Sequence, residues 1–356
     1  MYHLIDAVDM SRPEWDELYN LCSEIIDHPK DFTDACHGRL MGSLFYEPST
    51  RTNLSFSSAM LRLGGSVVGF SDPGSSSVAK GETLKDTIIM VSGYTDVIAM
   101  RNPKEGAAKA ASLYSAVPVI NAGDGGHLHP TQTLTDLTTI RRIRGSFSSI
   151  SIGLCGDLKH GRTVHSLIRA LCHLATGIQF YLISPRELAV PDYIRDVMVK
   201  TGQKFYEISN LESVIPMLDV LYMTRVQRER FIDPLEYERL KHVYVLDAGK
   251  LSNAKKELII LHPLPRVDEI AQSVDPDPRA AYFKQARLGM YIRMALLLTL
   301  SGKERREPML FVPEKKAPAC MNEKCVTRTE GYLPEDVTET GGQPCCGYCE
   351  KPLNHR

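Results

Sequence analysis

The chain has 356 residues, 43% of them apolar and 24% charged, with 42 basic against 43 acidic side chains and a net charge of -1. That length exceeds one ordinary core and suits two domains with an appendage, in a composition typical of soluble globular proteins. The charge balance excludes a nucleic-acid surface spread over the whole molecule, while leaving room for a local cationic site. The first residues show no basic segment followed by an apolar run, and the late apolar stretch Met294 to Leu298 is too short for a bilayer. No signal peptide, no membrane partner and a cytoplasmic location are expected.

Short apolar runs alternate with amphipathic segments of helical length, the pattern of α/β architecture with parallel sheets. Strands are expected at Leu40–Tyr46, Ser66–Phe70, Val97–Met100 and Val117–Ile120. Helices at Pro13–Ile26, Thr52–Leu63, Thr83–Ser92, Lys104–Ser115 and Thr131–Arg142 fill the intervals. The polar stretch Arg144–Ser149 reads as a hinge. A second unit opens with a strand at Ile150–Cys155 and a helix at Thr163–Leu174, then strands at Gln179–Ile183, Lys204–Ile208, Val220–Met223, Val243–Asp247 and Leu258–Leu261. A long apolar helix, Tyr282–Leu300, precedes a charged linker that starts at Ser301. The expected domains are 1–143, 144–281 and 304–356, the last as linker and metal-binding module.

Four segments carry the chemistry. Ser49-Thr50-Arg51-Thr52 follows a strand and opens a helix, where free N–H groups favour an anion. A single hydroxyl there is ordinarily a cap, but this turn offers three with a guanidinium, which favours phosphate. No Gly-Lys-[Ser/Thr] makes it a Walker A loop. Asn121 to Gln132 carries three glycines with His127 and His129, placed where parallel sheets bind ligands. His129 and Gln132 could aim donors at a carbonyl oxygen, although a plain surface loop reads the same way. Zinc binding by His127 and His129 lacks a matching thiol or carboxylate. In Gly156-Asp-Leu-Lys-His-Gly-Arg162-Thr163 the G-x-G-x-x-G spacing is absent, so NAD is discounted. Arg162 and Arg225, the latter within Thr224-Arg-Val-Gln227, together suit a dicarboxylate. Ser75 to Lys80 is by itself only a loop. No covalent nucleophile stands out, so positioning and electrostatic stabilisation are the expected means of catalysis.

Of nine cysteines, Cys22, Cys36, Cys155 and Cys172 are scattered and read as reduced core residues. Cys320-x4-Cys325 and Cys346-x2-Cys349 form a four-thiolate set whose natural reading is a tetrahedral structural zinc site. The adjacent Cys345 could replace a ligand or stay free.

Seven stretches resemble, in order from about residue 3 to 303, the catalytic chain of aspartate carbamoyltransferases. They are Phe45-Tyr-Glu-Pro-Ser-Thr-Arg-Thr52, Lys80-Gly-Glu-Thr-Leu84, Arg101 with Glu105-Gly-Ala-Ala108, His129-Pro-Thr-Gln-Thr-Leu134, Gly156 to Ser166, Tyr222-Met-Thr-Arg-Val-Gln227 and His262-Pro-Leu-Pro-Arg-Val-Asp-Glu269. Ornithine carbamoyltransferases share the phosphate turn but resemble His-Pro-Cys-Gln and His-Cys-Leu-Pro where this chain has His129-Pro-Thr-Gln132 and His262-Pro-Leu-Pro265.

The resemblance implies two parallel-sheet α/β domains of the carbamoyltransferase fold, the first completed by the returning helix 282–303, plus a small C-terminal zinc-binding domain. It implies transfer of a carbamoyl group from carbamoyl phosphate to L-aspartate in pyrimidine biosynthesis. Ser49, Thr50, Arg51, Thr52 and Arg101 would hold the phosphate; Thr52, Arg101 and His129 would polarise the carbamoyl oxygen, with Gln132 near its nitrogen. Lys80 and Ser76 would come from a neighbouring subunit of a homotrimer. Arg162, beside Thr163, would take the α-carboxylate of aspartate, and Arg225 with Gln227 the β-carboxylate. Pro263 and Leu264 would orient the substrates through their backbone, and Glu47 would brace the closed state through Arg162 and Arg230. The tail, notably Cys346 to Lys351 with His355, resembles the zinc domain of the regulatory chain of that family, fused in cis and without the nucleotide-binding domain. A structural or assembly role without nucleotide control follows as the expectation, with pairing of trimers left open. The departing phosphate is expected to accept the amine proton, and no cofactor is expected in catalysis.

Overall fold

The computed structural model describes residues 1–75, 77–226, 235, 244–311, 315–317, 320–340 and 342–353. Ser76, Gln227, Arg230 and His355 lie outside the described residues.

The first sheet contains β1 (Leu40–Phe45), β2 (Ser66–Phe70), β3 (Val97–Asn102) and β4 (Val119–Asp124), in the order β2-β1-β3-β4. Every neighbouring pair is parallel. β1, β3 and β4 are almost wholly buried, as strands covered on both faces must be, whereas the edge strand β2 is half exposed. Helices α1 (Arg12–Asp27), α2 (Thr50–Arg62), α3 (Leu84–Tyr94) and α4 (Ala107–Tyr114) accompany it. α1 shows why the sequence is helical there. Ser11 and Glu14 form a reciprocal capping box, and Trp15, Leu18, Cys22 and Ile25 bury one stripe.

The second sheet contains β5 (Ser151–Cys155), β6 (Gln179–Ile183), β7 (Lys204–Ile208), β8 (Val220–Met223) and β9 (Ile259–Leu261), in the order β7-β6-β5-β8-β9, again all parallel. With it come α5 (Pro130–Arg144), α6 (Arg162–Leu174), α7 (Asp192–Lys200) and α8 (Tyr282–Ser301). Packing divides the chain into 1–131 with 290–356, and 132–289. The breaks fall inside α5 and α8. No helix of the described residues is long and apolar enough to cross a membrane.

The C-terminal module adds an antiparallel hairpin of β10 (Val337–Thr340) and β11 (Gln343–Cys346). Cys320, Cys325, Cys346 and Cys349 share one apolar core with Leu44, Ile98 and the face Ala107, Ala108, Ala110 and Ala111 of α4.

Three expectations need correction. The strand expected at Val243–Asp247 does not form in its described part, where Leu246 makes only a single bridge to Ile270. Leu246 is fully buried, so the apolar run there marks burial without a ladder. The helix expected from Lys104 starts only at Ala107, because Gly106 takes a left-handed conformation and Glu105 bonds to the C-terminal module. Finally, α7 was not anticipated; its buried apolar positions, Ile194 and Met198, make too short a stripe.

Candidate active site and metal centre

In an open parallel sheet, ligands bind at the carboxyl ends of the strands where the order reverses. In the first sheet that switch lies between β1 and β3. The turn after β1 supplies Ser49–Thr52, and the register pairs Phe45 with Arg101. The Ser49 side chain makes no capping bond to α2. The N-terminal amides of α2 are therefore not spent on a serine cap, as an anion site requires. Thr52 is buried at the foot of this helix, while Thr50 and Arg51 are exposed.

Arg101 and His129 come together over Gly123. A Cβ on Gly123 would lie 3.1 Å from Arg101 Nη1 and 3.6 Å from His129 Cδ2, and its φ is +121°. A side chain there would crowd Arg101, touch His129 and strain the backbone. Arg101 Nη2 also pairs with Glu47 Oε1 at 2.7 Å. Lys80 ends a 3-10 turn, Ser77–Lys80, and is exposed.

In the second sheet the switch lies between β5 and β8, which places the Gly156–Thr163 loop beside Thr224-Arg225. A Cβ on Gly156 would meet the Thr224 carbonyl oxygen at 2.3 Å, so only glycine lets these strand ends meet. Arg162 opens α6, and Arg225 follows β8; both are half-buried.

Gln132 is oriented by a network that sequence reading missed. Buried Asp136 accepts from Gln132 Nε2 at 2.7 Å, Gln285 Nε2 at 2.6 Å and the Tyr222 hydroxyl at 3.0 Å. A carboxylate only accepts, so the nitrogen of Gln132 must face it, which leaves Oε1 as the outward acceptor. Burial, followed by the Asp136 charge, pushes the Tyr222 phenol well above its usual range.

The loop after β9 is braced in the same way. His262 Nε2 meets Glu269 Oε1 at 2.6 Å, and its Nδ1 accepts from the Leu264 N–H at 2.8 Å. Burial would raise the Glu269 carboxyl, but His262 and the local N–H groups outweigh it and hold it low. Leu264 has φ +51°, a conformation a leucine keeps only when its neighbours hold it.

The ligand atoms of Cys320, Cys325, Cys346 and Cys349 all lie within 4.8 Å of one another, and all four residues are buried. Cys320 to Cys349 and Cys325 to Cys346 are each 3.7 Å between sulfurs, too far for disulfides. Burial, with neighbouring thiols, pushes Cys320 up to about 11. Four buried thiols this close need a cation before they can all ionise. Cys345 points elsewhere, with its sulfur 3.6 Å from the Gln343 carbonyl oxygen.

The module docks through Glu105, which is 2% exposed. Its carboxylate accepts from Asn322 at 2.7 Å and from Lys351 at 2.9 Å. Gly106 lets the module approach, since a Cβ would lie 2.5 Å from the Tyr348 carbonyl oxygen. Lys109 pairs with Asp336 at 2.6 Å. On the other side, His127 bridges Asp124 at 3.0 Å and Glu350 at 3.6 Å.

The model of the carbamoyl-phosphate-binding domain of aspartate/ornithine carbamoyltransferases matches residues 2–142, and that of the Asp/Orn-binding domain matches 148–300. An aspartate carbamoyltransferase catalytic subunit from Clostridium novyi is 60% identical over 302 residues, 85% of this chain and 98% of the relative. One from Clostridium kluyveri is 59% identical over 300 residues, covering 84% and 98%. The chain belongs to the aspartate carbamoyltransferase family. Among solved structures of this family, the M. jannaschii aspartate transcarbamoylase catalytic subunit is 48% identical, with TM-score 0.79 over 84% of this chain and 98% of that one. The Trypanosoma cruzi aspartate transcarbamoylase, solved with N-(phosphonacetyl)-L-aspartic acid, is 40% identical, with TM-score 0.78 over 84% and 95%. The carbamoyltransferase models end at residue 300, before the cysteine module begins.

Proposed function

We propose that this enzyme joins the carbamoyl group of carbamoyl phosphate to L-aspartate, giving N-carbamoyl-L-aspartate and phosphate, an early step of pyrimidine biosynthesis. The observation that carries the reading furthest is the approach of Arg101 and His129 over Gly123, beside the serine-uncapped start of α2. Residues 1–143 with the returning helix 282–303 bind carbamoyl phosphate, 144–281 bind aspartate, and 304–356 form the linker and zinc module.

Ser49, Thr50, Arg51, Thr52 and Arg101 hold the phosphate. Thr52, Arg101 and His129 face the carbamoyl oxygen, where negative charge grows as the amine of aspartate attacks the carbamoyl carbon. The bond from that carbon to the phosphate oxygen then breaks, and the departing phosphate takes the amine proton. Gln132, its nitrogen fixed on Asp136, accepts from the carbamoyl nitrogen through Oε1. Arg162 and Thr163 take the α-carboxylate, Arg225 and Gln227 the β-carboxylate, and the backbone at Pro263 and Leu264 orients the substrates. Glu47, with Arg162 and Arg230, serves domain closure. Lys80 and Ser76 serve the active site of a neighbouring subunit in a homotrimer. The exposed Lys80 and the exposed apolar residues Leu54, Leu61, Val68, Met90 and Tyr94 support that assembly.

Zinc is the ion for the four cysteines, in a structural role. A ZnS4 tetrahedron with bonds of about 2.3 Å has edges near 3.8 Å, which the 3.7 Å sulfur separations fit. No step of the reaction passes through it.

The test is ureido-product formation from carbamoyl phosphate with either L-aspartate or L-ornithine. Product with aspartate alone is expected; product with ornithine, or with neither, overturns the reading. His129→Ala should lower kcat about 100-fold, as loss of one oxyanion donor does.

A further inference from the structure

Helix α3 is held at both poles by the C-terminal tail. At its start the Leu84 N–H donates to Glu330 Oε2 at 3.3 Å, and the Lys85 N–H to the Tyr332 hydroxyl at 2.8 Å. That hydroxyl in turn donates to the Glu330 carboxylate. The remaining first-turn donor, Asp86 N–H, is taken by Thr83 Oγ1 at 3.1 Å. At the other end Arg305 donates to the carbonyls of Ser92 and Thr95. An acid at the first turn and a guanidinium at the last both complement the helix dipole.

The segment between these grips is pinned along its way. The Arg306 N–H donates to the Ala116 carbonyl at 2.8 Å, the Met309 N–H to Leu113 at 3.1 Å, and Lys85 Nζ to the Leu310 carbonyl at 3.0 Å. Tyr332 also stands edge-on to Tyr114, with centroids 5.8 Å apart. The loop that carries Lys80 leaves the first turn of α3, where two of the three N–H groups bond to the tail.

We propose that Glu330 and Tyr332 are positioning residues for the Lys80 loop, fixing the helical turn from which it departs toward the neighbouring subunit's site. The inference rests on the shared-site reading of Lys80 given above. It assigns the tail a part in catalysis that passes through α3, in addition to any part in assembly.

Mixed trimers separate the two ideas. Lys80→Ala chains and His129→Ala chains are each expected to be nearly inactive. Co-expressed with different tags and purified as mixed trimers, they recover activity wherever the His129 of a Lys80→Ala chain meets a neighbour's intact Lys80. Tyr332→Phe removes the acceptor for the Lys85 N–H and keeps the ring. On the His129→Ala chain, which supplies the working loop, it should lower the recovered kcat/KM for aspartate about fivefold, the worth of roughly one net hydrogen bond. On the Lys80→Ala chain, whose loop is idle, it should change nothing. Equal loss in both placements, or no loss in either, overturns the proposal, because general weakening of the module cannot depend on which loop is in use. No recovery in the parent mixture sinks the shared-site reading instead, and the proposal with it.

Discussion

Arg101 Nη2 lies 2.7 Å from Glu47 Oε1, so the guanidinium at the end of β3 is already paired with an acid of its own unit. If Arg101 holds phosphate as proposed, the anion must share or displace that partner. Glu47→Ala should therefore tighten the binding of inorganic phosphate about three- to tenfold, within the range of a partly exposed ion pair. Titration calorimetry with phosphate alone reads it directly. Weaker binding would mean that Glu47 holds Arg101 in place for the anion.

Asp136 fixes which end of the Gln132 amide faces outward. Asp136→Asn offers a donor as well as an acceptor, so the amide can turn and present its nitrogen. The kcat/KM for carbamoyl phosphate should fall about tenfold or more, since a buried three-donor network loses its anionic centre. Steady-state kinetics that match the parent enzyme would separate Gln132 from the reaction.

His127 gives a pH signature. Burial alone would lower its imidazole, but Asp124 and then Glu350 outweigh burial and push it up to about 10. With a folded value above the ordinary 6.5, the stabilisation is complete below about pH 6.5 and fades as pH rises through about 10. Glu350→Gln should bring the imidazole titration down, followed by NMR of the His127 ring carbons. An unmoved titration would leave Asp124 as the only partner that matters.

Removing the metal should cost the module its fold, because binding and folding of four-cysteine sites are one process. Cys325→Ser is expected to lose zinc and lower the melting temperature, whereas Cys345→Ser keeps both. Metal content by atomic absorption and thermal melts decide between them. Zinc loss in Cys345→Ser would place that sulfur in the ligand set.

Much of the architecture was legible: the buried strands β6 and β8 read as plain apolar runs, and the exposed edge strands β2 and β7 also begin and end where expected. β4 ran further than expected, through Asn121, Gly123 and Asp124, residues whose ordinary preference is for turns. The Ser49–Thr52 turn and the histidine loop stood out as motifs because each is a local run of residues. The supports did not. Gln285 reaches Asp136 across 149 positions, and Glu105 is held by Asn322 across 217. Glu105-Gly106 stood out only by resemblance, and nothing in its own neighbourhood shows that the glycine makes room for Tyr348.

The shared core of α4 and the cysteine module also sets an order of events during synthesis. A ribosome delivers the strands and α4 well before the second cysteine pair. Until then the alanine face of α4 stays open to water and to other nascent chains. Metal capture by the four cysteines would then close the same apolar surface, so a chain cut short before them would expose it as a sticky scar.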